Sequence, residues 1–259
     1  MKIIFFDIDG TLIDKSFRMS ESTREAIARA RQNDHICMIN TGRTYKMVGD
    51  YLADWVEFDG CLCGCGTMVI YRGKELLHRT FSVQEAMRII AGLEKYGIDA
   101  VLEGGENNFQ KTLADMHTEK FRKYMAQFTN LGYGSFEQAP GKFDKFYCYV
   151  GEDEYRRGFF AEFVDILDYI DRERGFYEIV PKGFSKASGM RYLAEYLGRS
   201  MEDTVAIGDS NNDIAMLEAA HTAIAMGNSS KAVLELADYI TTDVDKDGIF
   251  NALKWLGVL

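Results

Sequence analysis

Short apolar runs that end in polar residues recur along the chain, and segments with apolar residues at helical spacing follow them. Three of these runs lie at residues 3–6, 35–39 and 204–207. Each run is short enough for a buried strand, and apolar residues three or four positions apart are typical of helices that pack on a sheet. Strands that alternate with helices favour parallel strand pairs. We therefore expect an α/β fold with a doubly wound, mainly parallel sheet.

The same pattern predicts where several helices begin. Residues 22–25 fit a capping box, so the first helix is expected to begin at Ser20 or Ser22. Further helices are expected to begin at Thr44, at Ser185 and after Asp247-Gly248. Two short apolar segments, residues 68–71 and 75–78, are separated by a glycine-containing turn and predict a β-hairpin.

The middle of the chain has a different character, with frequent Phe, Tyr and Gly. It predicts helices and strands in the order 83–96 (helix), 98–103 (strand), 117–128 (helix), 143–150 (strand), 152–168 (helix) and 176–180 (strand). Such a segment is typical of an α+β unit inserted into the first domain. Residues 103–108 are either a mobile glycine-rich edge or a plain surface loop, and Lys145 is either a cation that reaches a ligand or a solvated lysine.

Charge and composition exclude some partners. The 259 residues contain 30 Lys and Arg against 40 Asp and Glu, which gives a net charge of −10. Nucleic acids and anionic membranes require clustered basic charge, so neither is an expected partner. No apolar stretch approaches the length of a membrane span, and Asp7 interrupts the apolar N-terminus too early for a signal peptide. We expect a cytoplasmic protein, and nothing implies an obligate protein partner.

The five cysteines suggest reduced thiols, since the count is odd and no secretory leader is apparent. Cys61, Cys63 and Cys65 could place three sulfurs on one face of a strand, with His78 as a fourth zinc ligand. Structural zinc sites use other spacings, so buried small hydrophobic side chains are the favoured interpretation. The acidic loop at residues 243–248 resembles half of an EF-hand but has lysine where calcium needs a glutamate, which excludes that site.

Two carboxylates follow the first predicted strand, within Asp7-Ile8-Asp9-Gly10-Thr11-Leu12. The carboxyl ends of parallel strands are where open α/β sheets bind ligands. Strand side chains alternate, so Asp7 and Asp9 would share a face if the strand continued straight. Acids this close repel each other unless a cation or different roles keep them there. This segment by itself would also fit an ordinary polar turn.

Three further segments carry groups suited to anion and metal binding. Thr41-Gly42-Arg43 lies between a strand and a helix start, where hydroxyl and amide groups can hold phosphate oxygens. Lys186 lies in the first turn of a helix, where a positive charge is unfavourable unless an anion is nearby. Residues 208–213, Gly-Asp-Ser-Asn-Asn-Asp, again place carboxylates after a strand. A turn, a helix cap or a solvated lysine would explain each segment separately.

Together, the four segments resemble the haloacid dehalogenase superfamily, and in particular its Cof-like phosphatases with a large cap. The motifs are D-x-D-G-T at 7–11, T-G-R at 41–43, S-K at 185–186 and G-D-x-x-N-D at 208–213. The resemblance covers nearly the whole chain and implies a catalytic core at residues 1–81 and 183–259. Residues 82–182 would form the inserted cap, which sets substrate specificity. The chain departs from many relatives at Cys65, where they carry Asn, and at Ala187, where Gly is frequent.

The chemistry of these residues, in agreement with the resemblance, implies Mg²⁺-dependent phosphate-ester hydrolysis. Asp7 would attack phosphorus to form an aspartyl-phosphate, and Asp9 would act as general acid and then as general base. The expected Mg²⁺ residues are Asp7, Asp9 through its backbone carbonyl, Asp209 and, from behind them, Asp213. The expected phosphate-binding residues are Thr41, Gly42, Lys186 and Asn212. Arg43 either joins them or forms a structural salt bridge.

The expected substrate is a small phosphorylated metabolite, such as a sugar phosphate or a phosphorylated cofactor. One alternative is a phosphomutase that passes the phosphoryl group from Asp7 to another sugar hydroxyl. Another is a regulator that binds a phosphorylated metabolite without turnover, although such a protein has no need of Asp9 beside a nucleophile. Dehalogenation is disfavoured because it requires neither the second aspartate nor the metal.

Overall fold

The computed structural model describes residues 1–52, 56–128 and 132–259, which fold into two compact units. The first unit contains Met1–Arg43, Met47–His78 and Ser185–Leu259. The second contains Thr44–Lys46 and Arg79–Phe184. The second unit therefore interrupts the first in sequence.

The strands, in chain order, are β1 Ile3–Phe6, β2 Ile36–Asn40, β3 Gly60–Cys63, β4 Met68–Tyr71, β5 Lys74–His78, β6 Asp99–Glu103, β7 Asn108–Gln110, β8 Lys145–Tyr149, β9 Leu167–Asp171, β10 Phe176–Pro181, β11 Thr204–Gly208, β12 Thr222–Ala225 and β13 Tyr239–Ile240. The α-helices are α1 Glu21–Gln32, α2 Tyr45–Leu52, α3 Val83–Lys95, α4 Glu119–Met125, α5 Glu154–Glu162, α6 Lys186–Tyr196, α7 Ile214–Ala219, α8 Lys231–Leu236 and α9 Gly248–Trp255. Short 3₁₀ turns lie between several of these elements.

The first unit is built on a sheet in the order β13-β12-β11-β1-β2-β3-β4-β5. Neighbouring strands from β13 to β3 pair in parallel, and the predicted hairpin adds β4 and β5 in antiparallel orientation. The predicted α/β class with a doubly wound, mainly parallel sheet is confirmed.

Strand β1 shows why both faces of this sheet are covered. Ile4 and Phe6 belong to a buried cluster with residues of α1 and α9, whereas Ile3 and Phe5 belong to a cluster with residues of α6 and α7. Because successive strand side chains point to opposite faces, a run of four apolar residues needs a helical layer on each side. The continuous apolar sequence of β1 therefore dictates a three-layer core.

The second unit is an antiparallel sheet in the order β7-β6-β8-β10-β9. Its apolar core contains Leu102 and Phe146 from the sheet together with Phe159 of α5 and Phe163, the residue that caps this helix. The Phe159 and Phe163 rings stack with centroids 4.4 Å apart, so the frequent aromatic residues of this segment are packing residues.

Several local predictions need correction. Ser20, rather than Ser22, caps α1, and its side chain accepts a hydrogen bond from the Thr23 amide. The predicted helix at 152–168 is shorter, because α5 ends at Glu162 and β9 begins at Leu167. Strand β7 begins at Asn108, the last residue of the predicted glycine-rich stretch, and β7, β12, α8 and β13 were not predicted. These elements are only two to six residues long, too short for periodicity to identify.

The interpretation of Lys145 as a solvated lysine is wrong, and a role in reaching a ligand stays a prediction. Its ammonium is buried, and it donates to Glu103 at 2.5 Å and to Glu178 at 2.7 Å. A lysine that lies in a strand next to two glutamates on neighbouring strands forms buried ion pairs, which no local sequence pattern indicates.

The cysteines are buried free thiols. Cys61 and Cys63 lie in β3 and pack in the same apolar cluster, whereas Cys65 lies beyond the strand in a turn. The three sulfurs therefore do not share one strand face, as the zinc alternative requires.

No helix in the described ranges has both the length and the apolar character needed to cross a bilayer.

Candidate active site

The polar segments that follow three adjacent strands, β11, β1 and β2, lie at one edge of the first unit's sheet. Strand β1 pairs in parallel with β2 on one side and with β11 on the other, and Phe6 lies beside both Ile39 and Ile207. The residues that follow these strands therefore meet at the carboxyl edge, where the direction of the chain connections reverses.

Lys186 lies at the centre of this edge. It is the first residue of α6 and is fully buried, with Ser185 as the helix N-cap. Its Nζ donates to Asp7 Oδ1 and to Asp213 Oδ1, each at 2.6 Å. Burial alone would lower the pKa of this lysine, but the carboxylates of Asp213 and Asp7 outweigh that effect and raise it. Lys186 is therefore charged in the folded protein and joins two of the motif segments.

Three carboxylates form an acidic cluster around this lysine. Oxygen atoms of Asp7, Asp209 and Asp213 lie within 4.8 Å of one another. The remaining oxygen of Asp213 accepts hydrogen bonds from the amides of Asp209 and Ser210, each at 2.9 Å. Asp213 thus uses one oxygen for Lys186 and the other for the backbone of the Asp209 loop. This arrangement suits a residue that orients the cluster from behind.

The cluster has more negative charge than Lys186 balances. Burial, and then the charge of Asp213, raise the pKa of Asp7 to about 7 from an ordinary value of 3.8. The same two causes raise the pKa of Asp209 to about 7, although the Thr11 hydroxyl, which donates to Asp209 Oδ1 at 3.1 Å, acts in the opposite direction. Two buried carboxylates with pKa values this high favour a bound cation.

Gly10 allows the two carboxylate-bearing loops to approach each other. It has a φ of +84°, and a Cβ at this position would lie 2.4 Å from Asp209 Oδ2. Any side chain here would displace Asp209, so the glycine after Asp9 is required by the acidic cluster itself.

Asp9 lies outside this cluster. Its side chain is 54% exposed, and its two oxygens accept hydrogen bonds from Arg43 Nη2 at 2.5 Å and Nε at 2.8 Å. Arg43 therefore forms a bidentate ion pair with Asp9. The predicted metal ligand of Asp9 is its backbone carbonyl, which does not take part in this ion pair.

The predicted phosphate-binding residues lie at the same edge. Thr41 and Gly42 directly follow β2, and the Thr41 hydroxyl accepts a hydrogen bond from the Arg43 amide at 3.1 Å. Asn212 is buried, and its Oδ1 accepts from Ser210 Oγ at 2.7 Å. These contacts orient the side chains of Thr41 and Asn212, and the roles of the three residues in binding phosphate stay predictions.

Two further residues support the site: Asn40, which sequence reasoning missed, and Cys65, which it noted only as a departure from many relatives. Asn40 Nδ2 donates to the Lys186 carbonyl at 3.2 Å, and the signal for it was a polar residue at the end of an apolar strand. The Cys65 amide donates to the Thr41 carbonyl at 3.0 Å, and its thiol is near enough to contribute to the raised pKa of Lys186. Cys65 has a φ of +55°, a conformation that Asn and Gly adopt more readily, consistent with the Asn of many relatives.

The donor set of the acidic cluster fits Mg²⁺. All of its side-chain donors are carboxylate oxygens, which are the ligands that this hard ion prefers. Burial, and then the charge of Asp213, raise the pKa values of Asp7 and Asp209, so a bound cation would stabilise their charged forms.

Comparison with known proteins agrees with this geometry. The profile of the haloacid dehalogenase-like hydrolases matches residues 4–253. The putative phosphatase YkrA of Bacillus subtilis is 30% identical, with 100% of this chain and 98% of that protein covered. The 5-amino-6-(5-phospho-D-ribitylamino)uracil phosphatase YcsE of Bacillus subtilis is 27% identical, with 98% and 95% covered. A haloalkanoate-superfamily phosphatase from Bacteroides thetaiotaomicron superposes with a TM-score of 0.86 at 25% identity, covering 100% of this chain and 96% of that one.

The fold and the site define a hydrolase whose acidic residues lie at the carboxyl edge of a doubly wound sheet. The chain belongs to the haloacid dehalogenase-like hydrolase family. It is a phosphatase, and the predicted resemblance to the Cof-like members of the family is confirmed.

The metal-free protein is expected to lose thermal stability as the pH rises from about 5.5 to 7.5. Because the pKa values of Asp7 and Asp209 are raised to about 7, the folded protein binds more protons than the unfolded chain between the ordinary value of 3.8 and about 7. Stability then falls as these protons are released, by up to about 4 kcal/mol for the two carboxylates together, or on the order of ten degrees in Tm over this range. Calorimetry in the presence of EDTA measures the fall.

An Asp209→Asn variant is the control for this prediction. His35 acts in the opposite direction in the same range, because burial lowers the pKa of its ring and favours the neutral form. The variant keeps His35 but lacks one of the two titrating carboxylates, so its Tm should fall less steeply with pH. Parallel curves for the variant and the wild type would contradict the assignment.

Proposed function

We propose that this phosphatase hydrolyses a small phosphorylated metabolite with the help of Mg²⁺ and through an aspartyl-phosphate on Asp7. One observation carries the proposal: oxygen atoms of Asp7, Asp209 and Asp213 lie within 4.8 Å of one another, and a single buried lysine pairs with two of these carboxylates. A cluster that is short of positive charge next to a potential nucleophile favours phosphoryl transfer.

Asp7 is the proposed nucleophile. One of its carboxylate oxygens attacks phosphorus as the bond between phosphorus and the substrate oxygen breaks. Water then attacks the same phosphorus atom, the bond to Asp7 breaks, and inorganic phosphate leaves. Asp7 is buried and its Oδ1 is held by Lys186 Nζ at 2.6 Å, so the carboxylate is oriented before the substrate binds.

Asp9 is the proposed general acid and base. It gives a proton to the departing oxygen in the first step and takes one from the attacking water in the second. A carboxylate that accepts two hydrogen bonds from Arg43 has no proton to donate. Arg43 therefore has to leave at least one Asp9 oxygen before the first step, and the phosphate of the substrate is a competing partner for the guanidinium.

The other predicted residues would hold the phosphoryl group. Lys186, the Thr41 hydroxyl, the Gly42 amide and Asn212 are the proposed donors to its oxygens. Mg²⁺ held by Asp7, Asp209 and the Asp9 carbonyl would supply the positive charge that offsets the repulsion between an anionic nucleophile and an anionic substrate. Asp213 would orient Asp209 through its backbone amide.

The second unit is the proposed specificity cap, with residues 82–182 as its expected limits. Most of it lies, in sequence, between two segments of the first unit, and it supplies none of the four motifs. Relatives such as YcsE act on a phosphorylated heterocycle with a ribityl chain, so phosphorylated cofactors and their precursors belong with sugar phosphates among the substrates to be tested.

A phosphate-release screen over such metabolites tests the proposed function. Free phosphate from one or more of them is the expected result. Incubation with a bisphosphorylated sugar separates a hydrolase from a phosphomutase, because an isomerised product without free phosphate would establish the mutase. A metabolite that binds but is never turned over would establish a regulator instead.

Removal of divalent cations with EDTA is expected to abolish phosphate release, and added Mg²⁺ should restore it. An Asp209→Asn variant should need about 100-fold more Mg²⁺ for half-maximal activity, because it loses a charged oxygen ligand. Phosphate release measured over a range of Mg²⁺ concentrations tests both statements.

Asp203→Asn is the matched control for Asp209→Asn. Asp203 pairs with Arg199 and precedes β11, whereas Asp209 follows that strand, so the loss of Asp203 should leave the Mg²⁺ requirement unchanged. Undiminished activity after exhaustive chelation would rule out the metal.

A further inference from the structure

A short segment after β12 touches both carboxylate-bearing loops of the site. We call this segment, residues 226–230, the clasp. Its sequence is Met-Gly-Asn-Ser-Ser. It begins with a hydrogen bond from the Met226 amide to the Gly208 carbonyl at 3.1 Å, which continues the pairing of β12 with β11. None of its residues belongs to the motifs that the proposed function uses.

The clasp binds the Asp209 loop through Ser230. The Ser230 amide donates to the Asp209 carbonyl at 2.9 Å, and its hydroxyl donates to Asn211 Oδ1 at 3.1 Å. Asp213 accepts a hydrogen bond from the Asp209 amide. The backbone amide and the backbone carbonyl of Asp209 are therefore both held by hydrogen bonds.

The clasp binds the Asp7–Thr11 loop through Asn228. Asn228 Nδ2 donates to the Gly10 carbonyl at 2.8 Å. Its Oδ1 accepts from the Val244 amide at 2.8 Å, so the side chain is oriented by the loop that precedes α9. Because both the nitrogen and the oxygen of the Asn228 side-chain amide are hydrogen-bonded, the orientation of this side chain is fixed.

The Gly10 contact matters because this glycine lies against Asp209. A Cβ on Gly10 would be 2.4 Å from Asp209 Oδ2, and the neighbouring Thr11 hydroxyl donates to Asp209 Oδ1 at 3.1 Å. A small shift of the Gly10 peptide would change the position of Asp209 relative to Asp7. Metal sites and phosphoryl transfer both lose efficiency when their groups are displaced by a fraction of an ångström.

We propose that Asn228 is a positioning residue that sets the spacing between Asp7 and Asp209 by holding the Gly10 carbonyl while Ser230 holds the Asp209 carbonyl. This inference rests on the proposed function, since it assigns Asn228 a role in the same site. The hydrogen bonds of the Asn228 side chain are with the Gly10 carbonyl and the Val244 amide, so Asn228 acts through the backbone.

Two variants of Asn228 separate its two hydrogen bonds. Asn228→Ala removes both. Asn228→Asp keeps the acceptor for Val244 but places a carboxylate oxygen against the Gly10 carbonyl, where the donor was. If Gly10 is the important partner, Asn228→Asp should be at least as impaired as Asn228→Ala. Asn251→Ala is the matched control, because Asn251 binds Thr242 Oγ1 at 2.9 Å, next to the Val244 loop, and is not part of the clasp.

Two measurements are needed. In the absence of substrate, the rise in Tm caused by Mg²⁺ reports metal affinity, which we expect to fall about tenfold in both Asn228 variants and to be unchanged in Asn251→Ala. At saturating Mg²⁺, kcat should fall about tenfold with KM changed less than threefold, because the spacing of reacting groups is altered more than substrate binding.

A purely structural role would lower the Tm of the metal-free protein and leave the Mg²⁺-induced shift and kcat as in the wild type, and this outcome would overturn the inference. Wild-type behaviour of Asn228→Asp with impairment of Asn228→Ala would also overturn it, because Val244 would then be the important partner. Failure of the proposed function is distinct from both, because the wild type itself would show neither a Mg²⁺-induced shift nor phosphate release.

Discussion

The Asp7→Asn variant is expected to release phosphate about 10⁴-fold more slowly than the wild type, or slower still, and to remain folded. The loss is large because an amide has no negative charge with which to attack phosphorus, and no aspartyl-phosphate can form. Steady-state release from p-nitrophenyl phosphate and from the best metabolite of the screen measures it.

The fold is expected to tolerate this change for an electrostatic reason. Burial and the neighbouring Asp213 raise the pKa of Asp7 to about 7, so the charged form is disfavoured in the metal-free protein. A neutral amide of the same shape removes that unfavourable charge. At pH 8 without metal, the Tm of Asp7→Asn should equal or exceed that of the wild type.

Asp9→Asn is the matched comparison, since it is also an isosteric change but lies on the exposed residue that pairs with Arg43. It retains the nucleophile, so a phosphorylated enzyme should form from p-nitrophenyl phosphate, whose leaving group needs little protonation, and then break down slowly. A burst of nitrophenol is expected from Asp9→Asn and not from Asp7→Asn. Substantial steady turnover by Asp7→Asn would remove Asp7 as the nucleophile.

The second large effect is expected from Lys186→Met, which should abolish activity and destabilise the metal-free protein by about 3–5 kcal/mol near pH 8. Lys186 Nζ lies 2.6 Å from both Asp7 and Asp213, and all three side chains are buried. Removing the cation leaves buried carboxylates that repel each other. Chemical denaturation near pH 8 in the presence of EDTA measures the loss of stability.

The pH dependence and a double variant distinguish this cause from lost packing. The destabilisation should be smaller near pH 5.5, where the carboxylates can take up protons. Replacing Asp213 as well, in Lys186→Met/Asp213→Asn, should recover part of the lost stability, because removing both partners of a buried pair costs less than removing one. A loss that is independent of pH and additive in the double variant would show that Lys186 stabilises the fold by packing alone.

Lys182→Met serves as the exposed counterpart, since Lys182 pairs with Asp168 at 2.6 Å near solvent. Exposed ion pairs contribute about 0–1 kcal/mol, so this variant should be close to the wild type in stability.

The sequence by itself determined the class of fold and the edge of the sheet at which the motifs meet. Runs such as residues 3–6 and 205–207 indicate buried strands, because every residue in them is apolar, and parallel strands bring their following residues to one edge. The site residues proposed at Asp7, Thr41 and Asp209 follow from that rule. The sequence did not predict short strands such as β7 and β13, because two or three residues are too few to show a periodic pattern.

Only the tertiary structure decided which polar atoms pair with which. From the sequence, Arg43 could bind phosphate or form a salt bridge, and the structure places it on Asp9. Lys145 resembled a surface lysine, yet it is buried between two glutamates. Asn228 carries no motif at all, and its contact with Gly10 joins residues 218 positions apart.

The physical reason is that burial and polar pairing are encoded differently. Burial follows from the period of apolar residues within a few positions, which a sequence shows directly. A polar side chain is stabilised by the donor or acceptor that it meets in space, and that partner comes from any segment that the fold brings near. The sequence therefore determined where the chemistry gathers, while the division of Asp7, Asp9, Asp209 and Asp213 among a lysine, an arginine and the backbone was decided by the folded chain.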